Sequence, residues 1–109
     1  MAKVGEASFL GSSRALYLFN VYTMDSDFRD DISAVYVFSS TNEKGQHQPV
    51  MVGETNQLGN QVRSQKNTSR LKDNGAKFIC VQVSKDEKTR KSMASDLISY
   101  YTPPCNTAS

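Results

Sequence analysis

Two short runs, residues 33–38 (SAVYVF) and 49–55 (PVMVGET), constrain the fold most. Both concentrate β-branched and aromatic side chains over lengths that suit a strand better than a helix. The polar stretch between them, residues 40–47, carries Gly45, a turn residue, so the pair reads as a β-hairpin. Pro49 falls at the start of the second strand, where the missing N–H is tolerated, and Gly53 near its end marks a tight turn or a close approach. Residues 15–22 (ALYLFNVY) and 77–83 (KFICVQV) give two further strands, the latter apolar enough for the core.

Helical periodicity appears in two places. Thr55 or Asn56 is a suitable N-cap for a first helix carrying Leu58 and Val62 on one face, with Gly59 and Asn60 weakening it. The stronger helix starts at Ser84-Lys-Asp-Glu87, which has the form of a capping box, and presents Met93, Ala94, Leu97, Ile98 and Tyr101 as an apolar face until Pro103 and Pro104 stop it. These patterns predict an α+β domain over 15–106, a small mainly antiparallel sheet flanked by helices, with 1–14 as a flexible N-terminal arm and 107–109 as a tail.

A chain of 109 residues suffices for one domain with its own core. No run approaches the roughly 18 apolar residues of a membrane span, and the first residues lack the apolar region of a secretion signal, so the expectation is a cytoplasmic protein with no membrane partner. Cys80 and Cys105 define neither a disulfide framework nor a metal site. His47, the single histidine, reads as a solvated residue on the polar connection. Asp25, Asp27, Asp30 and Asp31 crowd one loop, but it lacks the glycine and closing glutamate of a calcium-binding EF-hand and reads as a plain loop.

Net charge is +2, yet between Val62 and Lys91 nine basic residues face three acidic ones. Arg63, Lys66, Arg70 and Lys72 lead this segment and are the candidate contacts to nucleic-acid phosphates; a solvated helix surface is the alternative.

The hairpin triplets Ala34-Val35-Tyr36 and Met51-Val52-Gly53, together with the late helix running into Pro103-Pro104-Cys105-Asn106, resemble the GIY-YIG nuclease superfamily, in particular its small stand-alone members. The resemblance covers roughly residues 15–106. It implies metal-assisted phosphodiester hydrolysis, in which a glutamate holds a divalent cation, tyrosines handle the attacking water and an arginine balances developing charge. Tyr36, Gly53 and Asn106 match the family's positions. Met51 replaces the second tyrosine, Gln61 the arginine, and Ala94 the metal-binding glutamate. Arg63 lies two helical residues from the arginine position and so on another face, as Asp96 does relative to Ala94; Glu54 is the remaining substitute carboxylate.

A methyl group cannot ligate a hard cation. The expectation is therefore a catalytically degenerate binding module for nucleic acid or protein, needing no cofactor. A divergent DNA endonuclease using Mg or Mn is one alternative, and an interaction or inhibitory protein that does not bind nucleic acid is another. The latter would be favoured by an exposed apolar patch or a stable homodimer. Oligomeric state stays open.

Overall fold

The structure, a computed structural model, describes residues 3–106. The alternating runs become strands β1 (Lys3–Leu10), β2 (Leu16–Thr23), β3 (Ala34–Thr41), β4 (His47–Thr55) and β5 (Phe78–Val83). Helices α1 (Leu58–Gln65) and α2 (Ser69–Asp73) lie between β4 and β5, and α3 (Glu87–Tyr101) follows β5. All pairings are antiparallel in the order β1-β2-β5-β3-β4. The expected α+β fold with an antiparallel sheet and flanking helices is what forms.

β3 and β5 are central because they can be buried on both sides. From Ala34 to Ser39 every residue of β3 is buried, as a continuous apolar run should be. Alternate side chains separate into two cores. On one face Ala34, Tyr36, Phe38, Ile79 and Val81 meet Leu58 and Val62 of α1, Leu71 of α2 and Phe28 from the acidic loop. On the other, Val35, Val37, Val52 and Cys80 meet Met93, Ala94 and Leu97 of α3, with Phe9 and Phe19 extending that layer over β1 and β2.

Several expectations need correction. Much of the stretch expected to be a loose arm, Lys3–Leu10, is an edge strand paired along β2 from Lys3↔Tyr22 to Leu10↔Leu16. Its modest apolar content hid it: only Phe9 is fully buried, and the strand is held by its ladder and one aromatic anchor. Asp86 rather than Ser84 caps α3, its carboxylate accepting from the Thr89 N–H at 3.0 Å, while Ser84 stays extended and donates its N–H to Ser33 O. The first helix starts after Gln57, with Thr55 Oγ1 accepting from the Gln57 N–H just ahead of it. Gly59 is required rather than merely tolerated, because a Cβ there would lie 2.1 Å from Phe28 O. α2 was missed outright; its five residues hold one buried apolar anchor, Leu71, too few for a periodic signal.

The Pro-Pro segment does more than stop a helix. Thr102 turns left-handed (φ 41°), after which Cys105 N–H bonds Val50 O at 3.0 Å. The Asn106 amide then accepts from Val52 N at 2.6 Å and donates to Val52 O at 2.8 Å. A side-chain amide offers the same donor and acceptor as a peptide unit, so Cys105 and Asn106 cover the outer edge of β4 as a short strand would.

Candidate functional site

The hairpin register sets Tyr36 directly opposite Gly53. The phenol lies across the glycine, where a Cβ would sit 2.3 Å from the hydroxyl oxygen, so only glycine admits the ring. Gln61 from α1 donates to Tyr36 Oη at 3.4 Å, and Met51 packs against the same core. Burial pushes the Tyr36 phenol above its ordinary range, opposed by hydrogen bonds from Gln61 and Gln65 and reinforced by the Glu54 charge. The structure thus brings together Tyr36, Gly53, Met51 and Gln61.

It leaves the other positions apart. Ala94 is buried against Val35, Val37 and Val52 on the opposite face of the sheet from Tyr36. Glu54 alternates with Gly53 toward that same far face, where Arg90, 4% exposed, holds it at 3.0 Å while also donating to Ser84 O and Lys85 O. Asp96 is occupied as well, accepting from Ser13 N, Ser13 Oγ and Tyr17 Oη at 2.6–2.8 Å and so tying α3 to the β1–β2 turn. Those bonds hold its carboxyl below the usual range, Ser13 contributing most. Among the described residues no group of His, Cys, Asp or Glu is arranged to hold a metal ion. Asn106 binds backbone at the edge of β4.

The basic segment disperses in the same way. Arg63 pairs with Asp27 at 3.3 Å and with Asp30, so the acidic loop neutralises the cation that led the candidate phosphate contacts. Arg70 donates to Pro104 O, Arg90 is inside, and Lys91 pairs with Glu87. Lys66, Arg70 and Lys72 remain on the α1–α2 side, whereas Lys85, Lys88 and Lys91 belong to α3 and its approach.

His47 also departs from expectation. Its Nδ1 lies 2.9 Å from Ser39 Oγ and its ring stands edge-on to Phe78, so it is partly buried, and burial lowers its pKa. Burial likewise pushes the Cys80 thiol up to about 11, which makes it a packing group rather than a nucleophile. Cys80 and Cys105 sit in cores on opposite faces of the sheet.

One surface was not foreseen. Among the described residues, α1 and α2 cover the β5–β3–β4 half of their face and Phe28 covers Tyr22 at one end of β2, while no helix lies over the rest of β1 and β2. There Leu16 is 67% exposed, Leu18 53% and Val83, beside them on β5, 63%. All three point to the uncovered face, because Leu18 pairs with Ser8 and Leu16 with Leu10 out of phase with buried Phe19, and Val83 alternates with Val81 of the α1-side core. Gln82 Nε2 on Leu18 O at 2.7 Å keeps this end of β5 against β2. A groove of about 570 Å³ lined by Arg29, Asp31, Ile32, Ser33, Val83 and Lys85 continues the patch. The signal lay in residues 15–22, where both alternating faces are apolar although only one is covered.

Among known proteins, no family model, no curated protein and no solved structure matches the chain. No helix among the described residues is long and apolar enough to cross a membrane.

Proposed function

We propose that the chain is a catalytically inactive, nuclease-like domain that binds a protein partner on the helix-free half of its sheet. The observation that carries this reading is the row of Leu16, Leu18 and Val83, each more than half exposed on a regular strand surface. A folded domain gains nothing by wetting three large aliphatic side chains side by side, whereas a partner that covers them recovers their burial energy. The GIY-YIG resemblance remains part of the proposal. It draws support from the run of hairpin, two helices, strand and helix, and from Tyr36 lying against Gly53 and Gln61.

Hydrolysis is the weaker reading, because the glutamate position is Ala94, on the face away from Tyr36, and Glu54 is already paired with Arg90. Nucleic-acid binding is weaker too, since Arg63 and Arg90 are consumed within the fold. A photo-crosslinking side chain placed at Leu18 tests the reading in cells that naturally produce the protein. A discrete protein adduct from position 18 is expected, lost when Leu16→Lys is added, with none from Ser99 on α3. Adducts to nucleic acid, or none at position 18, would overturn it.

A further inference from the structure

Resting on the protein-binding reading, we infer that the helix-free half of the sheet receives one acidic amphipathic α-helix of its partner. Dimensions point to a helix. Two strands, β1 and β2, about 4.8 Å apart and eight residues long, bordered by the Val83 end of β5, offer a strip of roughly 10 by 26 Å. One helix, about 10 Å across, fills it. The footprint, roughly 260 Å², is about a third of the roughly 800 Å² that each partner of a stable dimer contributes, so a second copy stacked on this face alone is disfavoured. The rest of this face packs under α1 and α2, and α3 packs on the opposite face.

Charge selects the kind of helix. Arg14 sits in the turn two residues before Leu16, and Lys85 lines the groove beside Val83; among the described residues neither has an ion-pair partner. The acidic groups nearby are balanced, Glu6 by Lys3 at 3.6 Å and Asp31 by Arg29 at 2.8 Å. An apolar strip with unmatched cations at one end fits a helix that presents leucine-type anchors at three- and four-residue spacing, flanked by Asp or Glu.

The test titrates the full chain with three synthetic helical peptides of about 18 residues, matching the strip length. One has a Leu stripe with Glu flanks, one the same stripe with Lys flanks, and one Ala in place of Leu. Amide NMR shifts report both site and affinity. The acidic peptide is expected to move Leu16, Leu18, Asn20, Val83 and Lys85 and to bind roughly ten-fold tighter than the Lys peptide, as two rim ion pairs allow. Arg14→Glu with Lys85→Glu is expected to reverse that preference. Equal or better binding of the Lys peptide at the same residues would overturn the acidic assignment while sparing the protein-binding reading. Unchanged binding by Leu18→Lys, or shifts on the α3 face, would overturn both. Concentration-dependent shifts of these residues without peptide would instead make a second copy the occupant.

Discussion

Asn106 and Asp96 show how single side chains of this protein replace missing secondary structure. Because Asn106 makes both a donated and an accepted bond to Val52, Asn106→Ala removes two partly buried hydrogen bonds, each worth about 1 kcal/mol. A loss of about 2 kcal/mol in urea unfolding, with the denaturant slope unchanged, is expected; an unaltered midpoint would mean that Asn106 does not cap β4. Asp96 gives a pH signature. Its folded pKa is depressed, so its contribution is present above the unfolded value of about 3.8 and is lost as pH falls through the folded pKa. The thermal midpoint should therefore drop below about pH 4 more steeply in the native chain than in Asp96→Asn. Tyr36, Gly53 and Asn106 could be singled out in the sequence, but what Asn106 does could not, because its partner is a backbone group 54 residues away.

Among elements, α3 carries the sharpest consequence. Its apolar stripe was legible from spacing alone, and Met93, Ala94 and Leu97 are indeed the buried face. The side of the sheet on which it packs was not legible, since that depends on the β5–α3 connection and on Arg90 anchoring it to Glu54. Placing a glutamate where the resemblance would have one, Ala94→Glu, therefore buries a second carboxylate in the α3-side core, where it competes with Glu54 for Arg90 one turn earlier and lies across the sheet from Tyr36. Destabilisation of about 3 kcal/mol or more and no gain of phosphodiesterase activity are expected, read by calorimetry and by a nuclease assay with magnesium. Arg90→Ala leaves Glu54 without its partner and two carbonyls without donors, with an expected loss of about 2–3 kcal/mol, discounted for the partial exposure of Glu54. β1 was invisible from composition because an edge strand needs only one buried face, and Phe9 supplies most of it.

Over the whole molecule, an antiparallel sheet with α3 on one side and α1 and α2 over part of the other separates the face that carries Tyr36, Gly53 and Gln61 from the face that α3 occupies. The hairpin, the strand of residues 77–83 and the α+β class followed from periodicity, which is local. The dispersal of the basic segment could not, because Asp27 and Asp30 neutralise Arg63 across 33 or more residues of sequence. Among the described residues no group arranged to hold a metal ion stands beside Tyr36, and the proposed protein-binding reading predicts no cleavage. The most direct measurement is cleavage of supercoiled plasmid by the purified chain with magnesium or manganese, alongside Tyr36→Phe. No nicking by either protein is the expected result; nicking by the native chain that Tyr36→Phe abolishes would contradict the account.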